Sequence, residues 1–260
     1  MEQTPETNDF KYGEGSLLYR FIYRCCRLLS PKYRLYGTEN LPKEPCVIVG
    51  NHCHMYGPIA AEIYMPRPHY IWCAGEMMDR KEVPAYAYQD FWSGKPRRSQ
   101  WFYHLLSHLI APLAAHLFNN AHTIPVYRDT RVMTTYRRTV EKLDRGADVV
   151  IFPESYEPYN HIIWKLHEQF VDVARMYCRR TGKQISFVPM YLAPKLSSIH
   201  FGEPVPFNPE AVPEEERKRI CNALMEAITA MAEALPEHIV IPYPNMPAKE
   251  YQKSKQPLLP

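Results

Sequence analysis

The chain of 260 residues contains no run of about 18–20 uninterrupted apolar residues, the length a helix needs to cross a bilayer. Its opening, "MEQTPETNDFKYGEGS", is polar and lacks the apolar stretch of a secretory leader. The seven cysteines are an odd number with no C-x-x-C pair. Several lie inside apolar runs, where a reduced thiol behaves as a small hydrophobe. Neither a disulfide framework nor a structural zinc is expected, and a reducing cytoplasm is. There is no G-x-S-x-G elbow to support a serine nucleophile, no H-E-x-x-H metal helix, and no internal repeat. The net charge of +3 is too small to point to nucleic acid, and no nucleic-acid partner is expected.

What the chain does have is apolar mass. With 46% hydrophobic and 23% charged residues it can bury a large core and is not a disordered composition. Short apolar runs alternate with helical patterns. "CVIVGN", "HYIWCAG", "HTIPVYRD", "DVVIFPE" and "ISFVPMYLAP" read as strands, and "SSIHFGEPVPF" continues extended. Between them "GPIAAEIYM", "TRVMTTYRRTVEKLDRGA", "HIIWKLHEQFVDVARMYCRRTG" and "PEEERKRICNALMEAITAMAEAL" read as helices. A further helical stretch, over "KEVPAYAYQDFW" and "WFYHLLSHLIAPLAAHLFNN", is expected to break at Pro96 and Pro112. This alternation predicts an α/β domain with a largely parallel central sheet flanked by helices. The expected organisation is a flexible arm over 1–14, a single domain over 15–235 and a proline-rich tail over 236–260.

The first helix, "SLLYRFIYRCCRLLS" (16–30), is amphipathic and basic. Leu17, Leu18, Phe21, Ile22, Cys25, Leu28 and Leu29 fall at helical spacing, and Arg20, Arg24 and Arg27 recur on another face. The same periodicity serves a helix lying on lipid and a helix packed on a core. The aromatics Phe91, Trp92, Trp101, Phe102 and Tyr103 beside the cationic "GKPRR" tip the balance toward a peripheral membrane surface. In the same region His104 and His108 stand at i and i+4, with His116 beyond. Their neighbours are Leu, Ile, Ala and Phe rather than further ligands, so no metal site is expected.

In a parallel sheet chemistry gathers at the carboxyl ends of the strands. Asn51-His52 follow one strand, Arg128 a second, and Phe152-Pro153-Glu154 a third. A histidine base, a carboxylate and a guanidinium at one sheet edge suit transfer to a hydroxyl beside a phosphate.

The order "YGTENLPKEPCVIVGNH … TIPVYRD … GADVVIFPE … ISFVPMYLAP" resembles the glycerolipid acyltransferase family, whose best-known members are the 1-acylglycerol-3-phosphate acyltransferases. The resemblance covers roughly residues 15 to 235. It implies transfer of a fatty acyl group from acyl-CoA or acyl carrier protein, as co-substrate and with no other cofactor, to a lysophospholipid-like hydroxyl. It also implies a peripheral place at the cytoplasmic, inner face of the cell membrane. By the resemblance His52 is the general base, Asn51 and Phe152-Pro153 lie in substrate-binding blocks, Arg128 grips phosphate, Lys165 assists it, and Pro189 shapes the acyl pocket.

The chain departs from the family where it matters most. Gly57 stands where the family has the aspartate that orients the histidine. Glu157 stands where an arginine would help hold the acceptor phosphate, so an acceptor other than a simple phosphate monoester is expected. Glu154 and Glu62 are the candidate acid partners of His52, and His54 is a rival base. A histidine without its acid is still a base, slower by about 10⁴-fold on the triad precedent. The alternative is a catalytically silent member that binds lipid or acyl carrier without turnover, and a weaker third reading is a hydrolase.

Overall fold

The structure, a computed structural model, describes residues 15–92 and 94–255. The expected arm over 1–14 lies outside them. The chain runs through α1 (Leu17–Leu29), β1 (Arg34–Tyr36), β2 (Val47–Gly50), α2 (Tyr56–Tyr64), β3 (His69–Ala74), α3 (Val83–Ala87), α4 (Gln100–Asn120), β4 (Thr123–Val126), α5 (Val132–Asp144) and β5 (Asp148–Ile151). It continues with β6 (Glu154–Pro158), β7 (Trp164–Leu166), α6 (Asp172–Thr181), β8 (Ser186–Ala193), β9 (Ser198–Phe201), β10 (Val205–Pro206) and α7 (Pro213–Ala234).

The main sheet has the order β1-β9-β8-β2-β5-β3-β4, with β10 also paired to β8. The pairs β8-β2, β2-β5, β5-β3 and β3-β4 are all parallel, β9 and β10 pair antiparallel with β8, and β1 lies parallel to β9. This is the expected α/β architecture. The central strands are buried on both faces, which explains their unbroken apolar spelling. Alternation along β2 sends Val47 and Val49 into the core beneath α5, α6 and α7, and Ile48 into the core beneath α2. Register places Val49 between Ile151 and Pro189, so β2, β5 and β8 end close together.

Two expectations are corrected, and the orientation of the first helix is added. The helix expected over "HIIWKLHEQF…" starts only at Asp172, and its first part is β7, paired antiparallel with β6. The Asn160 side chain accepts the N–H groups of Ile162 (2.8 Å) and Ile163 (3.0 Å) and turns the chain back on itself. Helix α4 passes straight through Pro112. Pro112 is on the exposed side, where the carbonyl it leaves unbonded is free to meet water. Helix α1 turns Tyr19 inward and leaves its most apolar stripe outward, with Leu17, Leu18, Phe21, Leu28 and Leu29 all exposed, Leu29 by 86%.

Candidate functional site

Because β2, β5, β3 and β4 are parallel, His52, Glu154 and Arg128 are delivered to the same sheet edge. The turn after β2 is tight. Cys53 and His54 both take positive φ, 48° and 53°, a conformation that non-glycine residues seldom adopt outside functional turns. Around this turn the Tyr56 N–H bonds the Cys53 carbonyl (3.0 Å) and the Gly57 N–H bonds the His52 carbonyl (3.1 Å).

Glu154 fixes the turn from below. It is buried, and one oxygen accepts the His52 N–H at 2.7 Å while the other accepts the Trp164 N–H at 3.1 Å. The expectation that Glu154 partners the imidazole is thereby corrected. Both carboxylate oxygens are engaged by main chain, and the acid anchors the histidine's backbone rather than its ring. Burial pushes Glu154 up to about 7 despite those two bonds.

The imidazole is held by aromatic packing. Phe152 and Tyr243 meet it edge-to-face, with ring centroids at 5.5 Å and 5.4 Å. Its Nδ1 is buried without a hydrogen-bond partner among the described residues, so Nε2 is the nitrogen left for a ligand. Burial lowers the His52 pKa and keeps the ring neutral near pH 7. The Phe152 ring also explains two glycines. A Cβ on Gly50 or on Gly57 would come within 3.0 Å of Phe152 Cε1, and one on Gly57 would lie closer still to the His52 carbonyl oxygen.

Two cavities meet at His52, Tyr86 and Tyr243. One, of about 430 Å³, runs along the ends of β4 and β5 past Arg128, Phe152, Pro153, Glu154 and His167. The other, of about 360 Å³, is walled by Met55, Pro58, Met77, Asp90, Phe118 and Tyr156. Met55, Pro58 and Phe118 also line a smaller, almost wholly apolar cavity beneath α1. Asp90 is raised by burial, against the pull of Tyr156 and Arg128. His167 is lowered by burial and by Arg128.

Four more expected residues lie elsewhere in role or place. Glu62 does not serve His52. Its carboxylate accepts the Tyr19 hydroxyl and pairs with His122 Nδ1 at 3.2 Å, and these bonds outweigh burial and hold its pKa down. Asn51 is a stitch between strands rather than a substrate contact. Its amide accepts the Leu192 N–H (2.7 Å) and donates to the Leu192 carbonyl (3.0 Å) and to Cys53 Sγ (2.9 Å). Lys165 points to solvent from β7 and is ion-paired to Glu157, so the lysine expected to assist with phosphate and the glutamate that departs from the pattern neutralise each other on the hairpin. Pro189 is buried inside β8 opposite Val49 and lines neither cavity at His52. His54, the rival base, is tied down: its Nε2 bonds the Pro244 carbonyl at 3.0 Å, and Tyr251 packs against its ring.

Tyr243, Tyr156, Asp90 and His167 went unread in the sequence. Tyr243 comes from the proline-rich tail, which folds back over the site. The Val240 N–H bonds the Gln252 carbonyl (2.9 Å), the Ser254 N–H bonds the His238 carbonyl (2.9 Å), and His238 meets the Tyr191 hydroxyl (2.7 Å). The apolar run Ile239-Val240-Ile241 and the tyrosines Tyr243 and Tyr251, in a tail otherwise rich in proline and polar residues, are the signal that points to it.

No protein-family model matches the chain, and no curated protein does. Among solved structures the chain is similar to the crystal structure of the 1-acyl-sn-glycerophosphate (LPA) acyltransferase, PlsC, from Thermotoga maritima. The match is at 14% identity with a TM-score of 0.48, and it covers 84% of this chain and 83% of that one.

Proposed function

We propose that the protein transfers a fatty acyl group from a thioester donor, acyl-CoA or acyl carrier protein, to the hydroxyl of a lysolipid. The observation that carries this reading is that His52 and Arg128 line one cavity at the carboxyl ends of β2 and β4. His52 Nε2 takes the proton of the acceptor hydroxyl. The hydroxyl oxygen attacks the thioester carbonyl, the C–S bond breaks, and the departing thiolate takes up the proton. Arg128 holds the acceptor's anionic group beside that hydroxyl. The almost wholly apolar cavity beneath α1, which shares Met55, Pro58 and Phe118 with the cavity at His52, suits the acyl chain.

A peripheral site on the inner face of the cell membrane fits the outward apolar stripe of α1 and the exposed Trp101, Phe102, Leu105, Leu109 and Leu113 of α4. No helix among the described residues is long and apolar enough to cross a membrane. Replacing Leu17, Phe21 and Leu28 by glutamate should abolish co-sedimentation with anionic vesicles while leaving the fold intact by circular dichroism.

The test of the chemistry is acyl transfer from each donor to a panel of lysolipids, with His52→Ala beside the parent. Turnover in the parent that His52→Ala removes supports the reading, and turnover that survives removes His52 from the mechanism. Gly57 and the unpartnered Nδ1 favour one competitor, a protein that binds lipid without turning it over. Ligand binding with no turnover from either donor would establish that instead.

A further inference from the structure

We infer that the acceptor cavity is built for a hydroxylated lipid carrying a single negative charge, a phosphodiester headgroup, and that it discriminates against a phosphate monoester. This rests on the acyl-transfer reading for the identity of the cavity, and its test is independent of turnover.

The charges that face the cavity are few. Arg128 is its one lysine or arginine, and the other titratable groups on its walls are His52, Glu154, His167 and four tyrosines. His52 and His167 are both lowered by burial and contribute no charge near neutrality. Three of the tyrosine hydroxyls are held neutral by burial, which drives Tyr86 upward and pushes Tyr136 and Tyr243 up to about 12. Glu154, pushed up to about 7, gains negative charge as the pH rises through neutrality. Asp90, across Tyr243 in the adjoining cavity, is within electrostatic reach of Arg128 and offsets part of its charge.

The neighbouring cations are committed elsewhere. Lys165 is paired with Glu157. Arg131 is paired with Asp129 at 2.8 Å, stacks over the Tyr127 ring at 4.2 Å and is not among the residues that line the cavity. The remaining walls are rings, among them Trp72, Phe152 and Phe170, which supply apolar surface and no charge.

One guanidinium matches a phosphodiester, which bears one negative charge and accepts a bidentate pair. A phosphate monoester, whose second pKa is about 6, is a dianion above neutrality. Its second charge would meet no cation in the cavity and would face the ionising Glu154. Like charges in a partly dehydrated site repel strongly, so the discrimination grows with pH.

The experiment measures dissociation constants of short-chain, monomeric lysophosphatidylglycerol and lysophosphatidate of the same chain, by titration calorimetry at pH 6 and pH 8. Expected is a preference for the diester on the order of tenfold at pH 8, shrinking at pH 6 as the monoester and Glu154 both take up protons. Arg128→Ala should remove most of the diester affinity, and Arg128→Lys should recover part of it. Lysophosphatidate bound as tightly as the diester at pH 8 would overturn the inference. So would diester binding indifferent to Arg128→Ala, or no binding of either lipid. Selective diester binding without acyl transfer would leave the inference standing and remove the catalytic reading alone.

Discussion

Restoring the aspartate that the family pattern expects at position 57 should damage this protein rather than repair it. Gly57 is buried at the first turn of α2, and its N–H bonds the His52 carbonyl at 3.1 Å. A Cβ there would stand 3.0 Å from Phe152 Cε1 and 3.1 Å from the His52 carbonyl carbon, with the carbonyl oxygen nearer still. The phenyl ring is able to shift, but the His52 peptide is clamped between Gly57 and Glu154. Overpacking of this kind costs about 1–3 kcal/mol. For a domain of this size that is a fall in Tm of roughly 2–4 °C per kcal/mol. Gly57→Ala and Gly57→Asp share the Cβ and should both show the loss in thermal unfolding. The aspartate should show more, because its carboxylate enters a buried site already holding Glu154. Acyl transfer by Gly57→Asp should fall below the parent. The opposing expectation is equally sharp, since a recovered acid is worth about 10⁴-fold on the triad precedent. A Gly57→Asp protein with parental Tm and raised turnover would refute the claim that the site is rebuilt around glycine.

Tyr243→Ala should move the His52 pKa up toward 6.5 by opening its ring to water, while Tyr243→Phe should leave it in place; NMR titration of the imidazole reads both. At Glu154 the folded chain keeps a proton that the unfolded chain has lost between pH 4.5 and about 7, so this group's contribution to stability falls as pH rises through that window. Glu154→Gln should flatten that slope in urea unfolding, and a slope unchanged by the substitution would place the raised acid elsewhere. Asn51→Ala strips the buried Leu192 N–H of its partner and leaves the Leu192 carbonyl only the weak Cys53 thiol at 3.6 Å, and should cost about 1–3 kcal/mol for the group left unsatisfied, measured by chemical denaturation.

The strands were readable because a parallel sheet covered on both faces spells each of them as an apolar run, and "CVIVG", "DVVI" and "HYIWCA" became β2, β5 and β3. Parallel pairing then brings whatever follows those runs to one edge, which is why His52, Arg128 and Phe152-Pro153-Glu154 could be grouped before any coordinates. Two things were not readable. Ile162, Ile163 and Leu166 have spacing that a helix and a buried hairpin share, and only the Asn160 turn and the Glu154 contact to Trp164 decide for the hairpin. The direction of a carboxylate is likewise invisible in sequence. Glu154 was rightly placed beside His52, yet its oxygens face the peptide N–H and not the ring.

That direction has a consequence for the chemistry. For Nε2 to accept a proton, Nδ1 must carry the ring's hydrogen, and this N–H then sits buried with no acceptor among the described residues. The other tautomer buries a bare lone pair instead and directs the Nε2 hydrogen at the cavity. In either tautomer Nδ1 is a buried polar atom without a partner among the described residues, at a cost of about 1–3 kcal/mol, so no hydrogen bond at Nδ1 selects the base-competent form. Phe152 and Tyr243 can do the positional part of an orienting aspartate's work, because ring packing holds the imidazole in place. They cannot supply its charge, because neither side chain carries one to balance the imidazolium formed in the reaction. A base of lowered pKa without a counter-charge should therefore give a rate that rises with pH through a midpoint below 6.5 to a plateau, at a turnover far under that of a complete dyad. A midpoint above 6.5 would mean that some group other than His52 accepts the proton.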